Sequence, residues 1–168
     1  HKKHLVVKKN LSVRSVKINI EIMEKLQYIS QGFTIQEQEL NIRKALDNGI
    51  QWIQVRWKNT PGKDFIKLCE TSKKLCTDHQ TVCIINDHVQ IAKEIDADGV
   101  HLGLKDMSVE TARHILGEDK IIGGTANTFQ DVLQRMLEPC DYIGLGPLRF
   151  TTTKEKLSPV LGFRGYQE

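Results

Sequence analysis

The sequence predicts an α/β protein built on a parallel sheet, and three observations carry that prediction. Short runs rich in Val and Ile recur six times along the chain. Amphipathic helical patterns lie between them, which is the signature of repeated βα units. The runs are apolar on both faces, as strands covered by helices must be. With 168 residues the chain has room for one domain.

The elements follow in order. "LQYIS" (26–30) is the first candidate strand. "IQEQELNIRKALDNG" then places Ile35, Leu40, Ile42, Ala45 and Leu46 along one helical stripe and stops at Gly49, a residue suited to a helix C-terminus. "WIQVR" (52–56) is the second strand. "DFIKLCETSKKLCTDH" spaces Phe65, Leu68, Cys69, Leu75 and Cys76 as a helix would. "TVCIIN" (81–86) and "DGVHL" (98–102) are the third and fourth strands. "SVETARHIL" opens on Ser108, a good N-cap, with Glu110 in the first turn. "KIIGG" (120–124) is the fifth strand; Thr128 with Asp131 three residues later makes a variant capping box; and "DYIGLG" (141–146) is the sixth strand.

Two architectures fit this alternation: a doubly wound sheet and a barrel. A (β/α)₈ barrel typically takes about 250 residues. Six units in this length therefore suit a barrel that stops early, or an open sheet. No G-x-G-x-x-G follows the first strand, which weighs against a dinucleotide-binding fold.

Composition narrows the partners. Lys and Arg number 24 against 21 Asp and Glu, a net charge of +3. That excess is too small to imply nucleic acid, and it also suits an anionic substrate. There is no apolar run long enough to span a membrane, and the start lacks the apolar core and cleavage site of a signal peptide, so a cytoplasmic location is expected. The four cysteines form no C-x-x-C pair and are expected to be reduced, mostly buried thiols. Residues 1–22 are basic and weakly periodic. They are expected to be a leader outside the domain, which would run over 23–168 from Met23, and their removal is expected to leave activity intact.

In a parallel βα sheet, ligands bind at the carboxyl ends of the strands. The second strand ends in Gln54, Arg56 and Lys58, spaced by two and so directed to one face. Three donors, two of them cationic, suit a phosphate or diphosphate. The third strand ends abruptly in Asn86 and Asp87; the fourth leads to Asp106; the fifth to Thr125 and Asn127; the sixth to Thr151, Thr152, Thr153 and Lys154. Two aspartates beside an anion site suggest Mg²⁺ held by carboxylates and substrate phosphate oxygens. Each cluster has a plainer reading. Asn-Asp is ordinarily a turn with an Asx cap, Gln-x-Arg-x-Lys a solvated face, and a Thr run a polar loop. His101 alone reads as a hydrogen-bonded core histidine. The weight comes from coincidence, since every cluster falls at the same end of successive strands.

At these residues the chain resembles the thiamine phosphate synthase (thiamine-phosphate pyrophosphorylase) family. The matching segments are "QVRWK", "INDHVQIAKEIDADGVHLGLKDM", "IIGGTANT" and "DYIGLGPLRFTTTK", in the family's order, over roughly residues 24–165. The resemblance implies a (β/α)₈ TIM barrel, here expected to be truncated after about six βα units. It implies a Mg²⁺-dependent transferase that joins hydroxymethylpyrimidine diphosphate to thiazole phosphate, releasing pyrophosphate. Carried over in this way, Gln54, Arg56, Lys58 and Asn86 would bind the pyrimidine diphosphate, and Asp87 and Asp106 would hold Mg²⁺. Thr125 would lie near the pyrimidine, Thr151 and Thr153 would contact the thiazole substrate, and Lys154 would reach the diphosphate. Arg56, Lys58 and Lys154 would act catalytically by stabilising the departing diphosphate.

The chain departs from the family pattern at three places. Leu104 replaces a glutamine, Asn127 a common histidine, and Phe150 a proline. The family pattern also continues past the sixth strand. Open sheet edges invite pairing with another chain, so a homo-oligomer is an expectation. Two alternatives stand beside the synthase: a thiazole tautomerase-like barrel enzyme, and a non-catalytic fragment that binds ligand without turnover.

Overall fold

The computed structural model describes residues 5–8, 25–58, 60, 62–150 and 159–167. Seven strands form one sheet in the order β1-β7-β6-β5-β4-β3-β2. The strands are β1 (Leu5–Lys8), β2 (Tyr28–Ile29), β3 (Trp52–Val55), β4 (Val82–Asn86), β5 (Gly99–Leu102), β6 (Ile121–Ala126) and β7 (Tyr142–Leu145). From β2 to β7 every pairing is parallel and joins consecutive strands. A doubly wound sheet reverses its strand order at a switch point. This sheet never reverses, so its six parallel strands form the arc of a half-barrel. β1 is the exception: it pairs antiparallel with β7, in register from Leu5 opposite Leu145 to Lys8 opposite Tyr142. This strand lies within the segment that the sequence reading sets outside the domain.

Curvature is visible in one contact. Trp52 on β3 and Tyr142 on β7 meet edge to face with ring centroids 4.9 Å apart. Four strand spacings in a flat sheet would separate them by about 19 Å. The sheet therefore curls, and residues of alternate parity fill its two sides differently. Ile53, Val55, Cys83, Ile85, Val100 and Ile122 face the helices in the main core. Trp52, Ile84 and Tyr142 form a second, smaller cluster on the concave face.

The helices are α1 (Ile35–Asp47), α2 (Gly62–Asp78), α3 (Val89–Glu94), α4 (Val109–Leu116) and α5 (Phe129–Leu137), with a short 3₁₀ turn at Arg164–Tyr166. The Ser108 side chain caps α4 by accepting from Thr111 N–H, and Thr128 with Asp131 forms a full capping box on α5. Thr34 with Glu37 makes a third cap, on α1. All four cysteines are free and buried.

Two local readings need correction. Leu40 is 52% exposed rather than on the buried stripe, while Gln38 is 1% exposed. At 100° per residue, position 38 shares its face with Ile42 and Leu46, and position 40 lies opposite. Gln38 is tolerated there because its Nε2 donates to Gly32 O at 3.0 Å. The helix α3 was not singled out from sequence, since six residues are too few to display a helical period.

Candidate active site

Polar groups collect at the carboxyl ends of β3, β4, β5 and β6. Gln54 is the third residue of β3 and only 2% exposed. It shares the concave face with Trp52, and its Nε2 donates to Gln27 Oε1 at 3.5 Å. Arg56 and Lys58 follow beyond the strand end. Ser30, buried at the end of β2, holds the Arg56 backbone from both sides: its Oγ accepts from Arg56 N at 2.9 Å and donates to Arg56 O at 3.3 Å. Burial lowers the Arg56 guanidinium below the usual arginine value, and the nearby Asp87 charge opposes that shift. Lys58 is half exposed and its ammonium donates to the Asp87 carboxylate.

Asn86 ends β4 and is buried. Asp87 follows with φ +65°, in the left-handed region that Asp enters more easily than bulkier residues. Its N–H donates to His101 O at 2.9 Å, extending the ladder by one residue before the chain turns. The carboxyl is thereby placed over the end of the sheet. Desolvation raises its affinity for a proton above the ordinary carboxylate value. Asp106 adds to that shift, and Lys58 only partly offsets it. Asp106 reaches this position because the loop after β5 folds back: its Oδ2 accepts from Gly103 N–H at 2.7 Å. A Cβ on Gly103 would lie 2.6 Å from that same oxygen, so any larger residue there would push the Asp106 carboxylate out of this bond.

Two carboxyls thus face each other beside two cations. The donor chemistry fits a hard divalent cation, which takes one or two carboxylates and completes its shell with water and phosphate oxygens. Among the described residues, no group of three or more His, Cys, Asp or Glu gathers in one place. A metal here would rest on this pair and on oxygens brought by the ligand.

Thr125 lies on β6, its Oγ1 2.9 Å from His101 Nε2. Arg135 of α5 anchors the same strand end by donating to Thr125 O at 3.1 Å and to Gly103 O at 3.1 Å. Asn127 is turned away from this cluster, with Nδ2 donating to Gly146 O at 2.5 Å. Leu104 and Phe150 are exposed. Thr151, Thr152, Thr153 and Lys154 lie outside the described residues. The structure therefore brings together Gln54, Arg56, Lys58, Asn86, Asp87, Asp106 and Thr125. Sequence reasoning missed Gln27, Ser30 and Tyr142. Tyr142 had a signal, because the period of two puts it on the concave face with Gly144. Gln27 and Ser30 had none, since they precede or end a two-residue strand.

Comparison with known proteins finds relatives in both sequence and structure. The sequence profile of the thiamine monophosphate synthase family matches residues 28–168. The chain is 65% identical over 142 residues to the thiamine-phosphate synthase of Flavobacterium psychrophilum, a match that covers 84% of this chain and 69% of the relative. It is 58% identical over 144 residues to that of Flavobacterium johnsoniae, covering 86% and 68%. Among solved structures it resembles thiamine phosphate pyrophosphorylase from Pyrococcus furiosus. The TM-score is 0.72 at 29% identity, over 83% of this chain and 66% of that one. The chain thus spans about two thirds of the length of these relatives.

Proposed function

The chain belongs to the thiamine monophosphate synthase family, and from that premise we propose that it condenses hydroxymethylpyrimidine diphosphate with thiazole phosphate to give thiamine phosphate and pyrophosphate. The observation that carries this reading is the meeting of Asp87 and Asp106 with Arg56 and Lys58 at one end of the sheet. The six-strand arc corresponds to six units of a (β/α)₈ barrel, whose ligands lie at this end. The relatives named above are thiamine-phosphate synthases, which favours neither the tautomerase nor the non-catalytic alternative.

The chemistry explains the residue types. The C–O bond between the pyrimidine methylene and the diphosphate breaks, and its electron pair leaves with the diphosphate. The methylene cation is captured by the lone pair of the thiazole nitrogen. Negative charge grows on the departing group, so Arg56 and Lys58 stabilise the transition state more than the ground state. Gln54 and Asn86 hold the pyrimidine diphosphate in place, and Thr125 meets its ring. Thr151 and Thr153 are assigned to the thiazole substrate and Lys154 to the diphosphate. Asp87 and Asp106 would hold Mg²⁺, which when bound neutralises diphosphate charge. No nucleophilic side chain is needed; much of the remaining rate comes from holding two rings together.

No described helix is long and apolar enough to cross a membrane. A cytoplasmic enzyme acting on small molecules, assembling through its sheet edges, goes with this reading. The test is direct. The 168-residue chain is mixed with both substrates and Mg²⁺, and thiamine phosphate is sought by mass spectrometry. Product that vanishes with EDTA is expected. A folded sample that binds the pyrimidine diphosphate and yields no product would overturn the catalytic assignment.

A further inference from the structure

Two residues outside the proposed substrate contacts join two that are inside it. His101 Nδ1 lies 3.0 Å from Tyr142 Oη, and His101 Nε2 lies 2.9 Å from Thr125 Oγ1. Tyr142 Oη accepts from Gln27 Nε2 at 3.3 Å, and Gln27 Oε1 accepts from Gln54 Nε2 at 3.5 Å. A chain of hydrogen bonds therefore runs across the concave face from Gln54 on β3 to Thr125 on β6. The two rings lie 5.4 Å apart, tilted by 33°. Space for them is made by glycine. A Cβ on Gly123 would lie 2.1 Å from the Tyr142 ring, and one on Gly144 would lie 2.8 Å from the His101 ring. Two strand positions are thus kept without side chains where the rings sit.

We infer that the His101–Tyr142 pair is a positioning relay that fixes Thr125 as a hydrogen-bond donor toward the pyrimidine ring. The inference rests on the synthase reading for the identity of the ligand. The direction of the chain follows from counting protons. Tyr142 is 1% exposed, and burial keeps its phenol protonated. Gln27 and Gln54 both donate to its oxygen, so the phenol proton goes to the remaining neighbour, His101 Nδ1. A neutral imidazole with Nδ1 as acceptor carries its proton on Nε2. That N–H donates to Thr125 Oγ1. The Thr125 hydroxyl proton is then directed away from the ring and toward the site, where it suits an acceptor such as an aminopyrimidine ring nitrogen. Reversing the tautomer would make Thr125 donate to His101 and present only an acceptor to the ligand. His101 and Tyr142 are positioning residues, since they act through Thr125 and Gln54.

The test combines a spectrum with kinetics. Long-range ¹H–¹⁵N spectra of the imidazoles, with His101 assigned through His101→Gln, are expected to show the Nε2–H tautomer in the unmodified chain. In Tyr142→Phe, which keeps the ring against Trp52, the tautomer is expected to become mixed. The KM for the pyrimidine diphosphate should rise roughly three- to tenfold, as expected for one lost neutral hydrogen bond. The KM for thiazole phosphate and kcat should stay within about twofold. His101→Gln, whose amide can accept from Tyr142 and donate to Thr125, should rescue most of the loss seen in His101→Leu. An Nδ1–H tautomer, a tautomer unmoved by Tyr142→Phe, or equal changes in both KM values would overturn the relay. The tautomer is read without turnover. A chain that makes no thiamine phosphate would defeat the functional reading while the spectrum still decides this one.

Discussion

The two ends of the sheet use the same residue type in opposite ways. At the amino ends, Asp98 and Asp141 each precede a strand by one residue and are fully engaged. Asp98 Oδ2 accepts from Cys83 N–H at 2.8 Å while Lys73 of α2 binds the same carboxylate at 3.0 Å. Asp141 Oδ2 accepts from Ile122 N–H at 2.7 Å and from Arg113 of α4 at 2.7 Å. Each carboxylate thus ties the first residues of a neighbouring strand to a helix cation. At the carboxyl ends, Asp87 and Asp106 face each other, and Lys58 does not offset the cost of burying that charge. Carboxylates that hold the fold together are matched by donors and cations. Carboxylates left in excess of their partners carry an uncompensated cost, which marks the carboxyl end as the candidate functional end.

Breaking the carboxyl-end pair should have the largest effect. Asp87→Ala is expected to lower kcat by roughly 10²–10³-fold or more, as for loss of a principal electrostatic group, with the fold retained by circular dichroism. Full activity in that variant would remove the metal assignment. At the amino end the loss should appear in stability instead. Arg113 is buried and also donates to Lys120 O at 2.6 Å and Pro139 O at 3.1 Å. Arg113→Ala should cost about 3–5 kcal/mol in urea denaturation, because it removes the cation from Asp141 and the donor from four backbone carbonyls. Asp98→Ala should cost about 1–2 kcal/mol by leaving the Cys83 N–H without its partner, and specific activity of the folded fraction should not change.

A smaller effect sharpens the contrast through its sign. The folded state holds the Asp87 proton more tightly than the unfolded chain does, above the ordinary value of 3.8. Protonated Asp87 therefore favours the fold at low pH, and that contribution is lost as pH rises through the raised value. At neutral pH the ionised carboxyl works against the apo fold. Asp87→Asn should then raise the apo Tm at pH 7. Mg²⁺ with pyrophosphate should raise the Tm of the unmodified chain but not of the variant. A lower Tm for Asp87→Asn would mean that Lys58 outweighs desolvation. The least effect is expected from deleting residues 1–22. Every site residue described lies between positions 27 and 142, so turnover should persist. Exposing the β7 edge, now paired with β1, should appear only as increased self-association on size-exclusion chromatography.

The sequence by itself determined whatever depends on neighbours a few residues apart. Short runs rich in Val and Ile located all six parallel strands, because a continuous apolar run records burial on both faces. The Ser108 and Thr128 caps were legible because capping joins residues three apart. The end of the sheet at which Arg56, Lys58, Asp87 and Asp106 gather was legible too, since chain direction alone fixes where a parallel strand stops. Tertiary structure decided the rest. Strand order without reversal, and the curl that brings Trp52 to Tyr142, depend on how units pack rather than on any one unit. The sequence singled out Asp87 as a strand-end carboxylate and took Asp98 only as the first residue of a strand. Only the surroundings show that Asp87 faces a second carboxyl while Asp98 clamps a neighbouring strand. Gln27 and Tyr142 are 115 positions apart and share a hydrogen bond. His101 was readable as a core histidine. That it joins Tyr142 to Thr125 was not, because a hydrogen bond between distant strands is set by register and curvature, and neither is written in the local pattern.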